Sequence, residues 1–277
     1  MKKNTLFRLL ALILAMAMLL SVAGCGGTTS ESESESPSQS VSDPEDDVEY
    51  RERLFLTDKV TEGLKRNSDT VGWLQIPNME IDDAVLQSYD NDYYLRITED
   101  KEYSVYGCYY ADYNCILDKG RDGLSRNTII YGHSSYKDNP EDPKFSQLFH
   151  YTDLEYLKEN PYIYFSTEEE DMVWQVFAVF YTDIYFNYIQ ANPTADVMNE
   201  IIKEARTRSE YIIDLDVTAE DKILTLSTCT GKYNGHLYPN GDYGNYRYVV
   251  MAKLLDSNSV PVECTTPMSV NPSPKLS

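Results

Sequence analysis

The stretch Ile223-Leu224-Thr225-Leu226-Ser227-Thr228-Cys229-Thr230 decides how this chain is read. Apolar and hydroxyl side chains alternate along it and several are β-branched, which predicts a half-buried strand. The alternation stops at Cys229. Gly231-Lys232-Tyr233-Asn234-Gly235 follows, a turn-rich run that cannot continue a strand. A thiol on the last pleat faces the rim of a sheet, where a substrate can reach it. Standing alone, such a cysteine would read as a small buried hydrophobe. Two further stretches change that reading. Asn127-Thr128-Ile129-Ile130-Tyr131-Gly132-His133 predicts a second strand that ends in Gly-His, and Tyr246-Arg247-Tyr248-Val249-Val250-Met251-Ala252 predicts a third, with Arg247 near its start. Thiol, imidazole and guanidinium at strand ends are the nucleophile, proton carrier and oxyanion partner of thiol acyl transfer.

Competitors for these roles are few. His150 closes a short predicted helix and reads as a surface or capping residue. His236 lies in the loop after Cys229, and Lys232 is the alternative cation to Arg247. His133 is preferred because it terminates a strand as Cys229 does. Cys108 and Cys115 flank a strand and a turn. They are read as two free buried thiols, with a disulfide in an oxidising compartment as the alternative.

Outward from these strands, the rest of the chain divides by composition. Met1-Lys2-Lys3-Asn4 is basic, Arg8 adds one charge, and Leu9 to Val22 is almost wholly apolar. That core is short for a membrane span, which needs ~20 apolar residues, and suits an export signal. Residues 25–47 carry a run of alternating Ser and Glu with too little apolar surface to offset ordering entropy, and read as a disordered acidic linker. Residues 48–256 make one domain, and the Pro- and Ser-rich residues 257–277 are expected to fray. The formal charge of −21 leaves no basic footprint for nucleic acid and no polybasic lipid patch. The 24 tyrosines suit a groove for peptides or glycans, and equally ordinary strand packing. No glycine-rich phosphate loop and no metal-ligand cluster stands out, so no cofactor and no metal is expected.

Within the domain, residues 48–70 show helical spacing, and Val71 to Ile76, Ile81 to Leu86 and Val105 to Ala111 read as strands. Tyr162 to Phe165 and Val173 to Phe180 predict a hairpin. Thr194 caps a helix to about Arg206, with Val197, Ile201, Ile202 and Ala205 on one face. About eight strands and a few short helices, without a βαβ rhythm, predict a mainly β, closed or nearly closed barrel.

With Asn127 to His133, Leu224 to Cys229 and Arg247 in this order, the chain resembles a sortase, most closely class B. Gly72-Trp73-Leu74-Gln75-Ile76-Pro77, Asn91-Asp92-Tyr93-Tyr94-Leu95, Phe145-Ser146-Gln147-Leu148 and Val176-Phe177-Ala178-Val179 extend the likeness over nearly all of residues 48–256. The resemblance implies a closed eight-stranded sortase-type β-barrel with an N-terminal helix and short peripheral helices. It also implies a cysteine transpeptidase that cuts the sorting-signal peptide of exported proteins and joins the acyl end to an amine of a cell-wall precursor or a pilin. Cys229, His133 and Arg247 would be catalytic, and Asn91, Leu95, Thr182 and Ser227 would line the substrate groove. Leu20-Ser21-Val22-Ala23-Gly24-Cys25 resembles the lipobox of bacterial lipoproteins. That implies a signal peptide over residues 1–24, lipidation of Cys25 and tethering at the extracytoplasmic membrane face, with an uncleaved anchor helix as the alternative. Two other readings use the same residues: a thiol peptidase or amidase that hands the acyl group to water, and a non-catalytic lipoprotein that binds peptides or glycans.

Overall fold

The computed structural model describes residues 49–51, 55–233 and 245–276. The expected signal peptide, Cys25, the acidic linker and His236 lie outside these residues. The first element is helix α1 (Leu56–Arg66), which turns Leu56, Val60 and Gly63 inward. It is shorter than the helical spacing predicts because Asn67 takes an extended conformation and buries its amide against the Glu99 carbonyl at 2.9 Å. Strands β1 (Thr70–Ile76) and β2 (Ile81–Leu86) follow as an antiparallel pair, then β3 (Tyr109–Ala111) and β4 (Asn127–Tyr131). The third strand starts later than Val105 because Gly107 has φ +55° and backs onto the carbonyls of Tyr94 and Leu95. A Cβ there would lie 2.5 Å from the Tyr94 oxygen. The chain continues through α2 (Leu154–Glu159), β5 (Tyr162–Ser166), β6 (Val173–Asp183), α3 (Ala195–Arg208), β7 (Tyr211–Ile213), β8 (Ile223–Cys229) and β9 (Tyr246–Leu254). Thr194 caps α3 as its sequence predicts, its side chain accepting from the Val197 N–H.

Eight strands close into a barrel in the order β1-β2-β3-β4-β8-β9-β6-β5. Closure leaves no unpaired edge to template aggregation. Leu74, Ile76, Val85, Ile130, Leu224, Leu226, Trp174, Tyr248 and Val250 fill its interior. A second core forms outside it, where Met198, Ile201, Ile202 and Ala205 of α3 cover Phe177, Phe180, Val249 and Met251. Strand β6 is therefore buried on both faces, and its continuous apolar run follows from that. A register shift between Val176 and Ala178 changes which residues face in. Trp174 and Val176 point inward before it, and Val179 and Tyr181 after it.

Two features position the site. First, β4 and β8 are parallel, with Asn127 opposite Ile223 and Tyr131 opposite Ser227. The His133 and Cys229 ends of the two strands therefore arrive at the same level, one strand spacing of about 4.8 Å apart. Second, β8 and β9 are antiparallel and their last pair is Cys229 with Arg247.

The C-terminal segment does not fray. β10 (Met268–Val270) pairs antiparallel with β7, and Val260 packs at 3% exposure over Tyr162, Tyr164 and Val173. The buried Arg208 guanidinium donates to the Leu276 carbonyl at 2.6 Å, and Lys275 pairs with Glu204. A Pro- and Ser-rich composition signals a lack of regular structure of its own. It does not foresee the docking that β7 and α3 provide. Among the described residues, no helix is long and apolar enough to cross a membrane.

Candidate active site

Leu224, Leu226, Tyr248 and Val250 fill the barrel, so the alternate residues Ser227, Cys229 and Arg247 project from its outer face. The thiol thus sits on the outer wall at the strand ends, in a groove roofed by two connections. One is the 3-10 turn Tyr93–Leu95 and the other is the segment between β6 and α3. A cavity of about 420 Å³ lies here, lined by Asn91, Asp92, Leu95, Tyr110, Tyr131, Gly132, His133, Ile184, Phe186, Asn187, Tyr188, Ile189, Ser227, Thr228, Cys229 and Arg247. It has the size and mixed lining of a pre-formed ligand site.

Cys229 is a free thiol, partly exposed to this cavity. As direct cross-strand partners, Cys229 and Arg247 place their Cβ atoms about 5 Å apart on one face. Arg247 is steadied by its own neighbours. Its Nη1 donates to Asn245 Oδ1 at 2.5 Å and to the Tyr246 carbonyl at 3.0 Å. The strand ends are stitched together beyond the last sheet bonds. Thr228 Oγ1 donates to the Gly132 carbonyl at 2.7 Å, and Ser134 Oγ to the Cys229 carbonyl at 2.5 Å.

His133 Nε2 lies 2.7 Å from the Leu95 carbonyl. A carbonyl only accepts, so Nε2 carries a proton and the neutral ring keeps its lone pair on Nδ1. Burial pushes the imidazole below its ordinary value, outweighing the Leu95 bond that favours the charged form. His133 is accordingly expected to titrate below about 6.5, the value of a free imidazole, in an NMR titration. The sign for stability follows. Between the folded value and about 6.5 the unfolded chain binds a proton that the native chain does not, so acidification through that window weakens the fold. A His133 midpoint at or above 6.5 would contradict this.

The groove floor is held from below. Asn127, a buried strand residue, accepts from Thr225 Oγ1 at 2.6 Å and donates to the carbonyls of Tyr188 at 2.9 Å and Gln190 at 3.2 Å. The Tyr188 hydroxyl bonds Ser227 Oγ at 2.8 Å. Burial pushes that hydroxyl up to about 12, so it acts as a neutral partner. On the opposite wall Asn91 Nδ2 donates to Asp112 at 2.8 Å, and the Tyr131 hydroxyl donates to the same carboxylate.

Of the residues singled out in the sequence, His133, Cys229, Arg247, Asn91, Leu95 and Ser227 line one cavity. Thr182 does not. It lies in the same cross-strand row, opposite Arg247, but its side chain is fully buried. Its hydroxyl accepts from Arg208 at 3.1 Å. Lys232 packs over the Tyr181 ring and pairs with Glu210 at 3.6 Å, outside the cavity lining, and His150 stacks on Tyr156. Cys108 and Cys115 are free and buried. The sequence reading missed Ile184, Phe186, Asn187, Tyr188 and Ile189. They belong to a connection without periodicity, and its irregular, apolar-rich composition was the only available sign. Among the described residues, no group of three or more His, Cys, Asp or Glu is placed to hold a metal ion.

A β-barrel that presents a reachable thiol beside an imidazole and a guanidinium has the layout of a thiol acyl-transfer enzyme. Residues 74–255 match the Sortase domain. Sortase B of Listeria monocytogenes is 33% identical over 199 residues, covering 72% of this chain and 74% of that protein. Sortase B of Staphylococcus aureus is 28% identical over 192 residues, covering 69% and 72%. The solved Staphylococcus aureus sortase B–substrate complex superposes with a TM-score of 0.61 at 26% identity, covering 72% of this chain and 86% of that one. The chain belongs to the sortase family and is class B-like, a transpeptidase built on the closed eight-stranded barrel described above.

Proposed function

We propose that this sortase cuts the C-terminal sorting signal of exported proteins through a thioester on Cys229 and passes the acyl group to an amine of a cell-wall precursor or a pilin. One observation carries the reading: Cys229 and Arg247 are the terminal cross-strand pair, and His133, two residues past the end of the parallel neighbour strand, lines the same cavity. The Cys229 thiolate attacks the scissile carbonyl carbon and its electrons move onto oxygen. Arg247 meets that oxyanion with guanidinium N–H groups not engaged by Asn245 and Tyr246. His133, protonated at the expense of the thiol, gives its proton to the departing amine as the C–N bond breaks, leaving a thioester. An incoming amine then loses a proton to His133 and attacks the thioester. The C–S bond breaks and the thiolate is restored. Because burial favours the neutral imidazole, the imidazolium is a minor form that the reaction draws upon.

The substrate assignment is supported by the likeness to a sortase B solved with a substrate. Lipidation of Cys25 at the extracytoplasmic membrane face belongs to the same reading, since a surface transpeptidase needs a tether. Sorting-signal peptides of the LPXTG and NPQTN types, incubated with and without an amine, test the proposal. The expected result is an amide product that accumulates with the amine in preference to the free acid. Hydrolysis at an unchanged rate and with no amide would replace the transpeptidase with a thiol peptidase.

A further inference from the structure

After His133 the chain leaves the sheet in a loop closed at its neck, where the Phe145 N–H donates to the His133 carbonyl at 2.9 Å. At the far end of this loop stands Asp138, with φ +51°. Its carboxylate crosses to the turn that follows the nucleophile. Oδ1 accepts from the Gly231 N–H at 2.9 Å, and Oδ2 accepts from the Thr230 hydroxyl at 2.5 Å and the Lys232 N–H at 3.1 Å. Three consecutive residues are thereby tied to one side chain. The sheet itself offers this turn little. Pairing of β8 with β9 ends at Cys229, and beyond it the Thr230 N–H reaches the Tyr246 carbonyl only at 3.4 Å.

The two loops also touch. A Cβ at Gly231 would stand 1.9 Å from the Tyr136 carbonyl oxygen, so the approach admits only glycine. Charge-assisted bonds to a carboxylate are about twice as strong as neutral ones. A carboxylate is also the group that can accept from three donors at once.

We propose that Asp138 is a positioning residue for the reaction: from the loop that carries the imidazole it caps the turn that follows the thiol, and so fixes the separation of Cys229 from His133. The inference rests on the roles proposed above for those two residues. A misplacement of about 1 Å in such a pair costs on the order of 10²-fold in rate. Asparagine is nearly isosteric with Asp138 but keeps one acceptor oxygen. Its amide would set N–H donors against the donors of the turn.

The test compares the full chain with Asp138→Asn and Thr230→Val. It follows kcat and KM for a sorting-signal peptide with an amine, the pH dependence of Cys229 alkylation by iodoacetamide, and the melting temperature. Lys137→Ala, an exposed neighbour in the same loop, is the control and should match the wild type. The expected result for Asp138→Asn is a kcat lowered about tenfold or more, KM within about twofold, and a displaced alkylation profile at a melting temperature close to wild type. Thr230→Val should show a weaker form of the same pattern. If Asp138→Asn does not fold, Thr230→Val, which removes one bond of three, decides. Wild-type kcat and an unmoved alkylation profile would overturn the inference. So would a loss of activity that only tracks melting temperature. Cys229→Ala run in parallel separates the two claims. If it is inactive while Asp138→Asn is unimpaired, only the positioning role falls; if it turns over, the mechanism itself falls.

Discussion

Cys229→Ala is expected to lower turnover of a sorting-signal peptide by at least about 10³-fold while leaving the fold intact. The size of the effect follows from the chemistry. Without sulfur the proposed thioester cannot form, and of the proposed machinery only the groove and the Arg247 guanidinium remain. The fold should tolerate the change because Cys229 is the last residue of β8 and partly exposed, so little packing is lost. Its backbone carbonyl still accepts from Ser134. The other described thiols cannot take over. Burial pushes Cys115 up to about 12 and Cys108 well above the ordinary thiol range, so neither supplies thiolate near neutral pH. Cys264 stands by Gln175, away from the cavity lining. Peptide cleavage followed by mass spectrometry, with thermal melts of both proteins, checks the prediction. Full turnover in the variant would remove Cys229 from the chemistry.

The sequence made the strands of this site legible because each carries a local signal. Ile223 to Cys229 alternates, Asn127 to Tyr131 is a β-branched run stopped by Gly132, and Thr194 announces α3. What it could not show depends on partners remote in sequence. The alternation of Thr225, Ser227 and Cys229 was visible, but which side faced the barrel interior was not. That is decided by α3 covering Val249 and Met251 on the outer wall. The placement of Thr182 failed because its side chain is fully buried and Arg208, twenty-six residues on, caps its hydroxyl. Asp138 carried no signal at all. An aspartate in a polar loop reads as a turn residue, and only the approach of Gly231 turns it into a tie between two strand ends.

Arg247→Lys is the second large effect, and it separates charge from geometry. The substitution keeps a cation at the cross-strand position of Cys229. A generic need for positive charge near the oxyanion would leave the rate nearly unchanged. The surroundings argue otherwise. Both protons of Nη1 are engaged, one by Asn245 Oδ1 and one by the Tyr246 carbonyl, which holds the plane of the guanidinium. A guanidinium so held still has the N–H groups of Nη2 and Nε to offer a substrate oxygen. An ammonium that satisfied the same two acceptors would have one proton left, on a stem without a fixed plane. The variant is therefore expected to lose about 10²- to 10³-fold in kcat, the range for removing one oxyanion donor, with a far smaller change in peptide KM. Steady-state kinetics on a sorting-signal peptide decide the matter. If the loss falls on KM, Arg247 binds the substrate carboxyl or carbonyl in the ground state and does not act on the developing charge. Wild-type rates throughout would take Arg247 out of the site and leave the oxyanion to backbone N–H groups near Cys229.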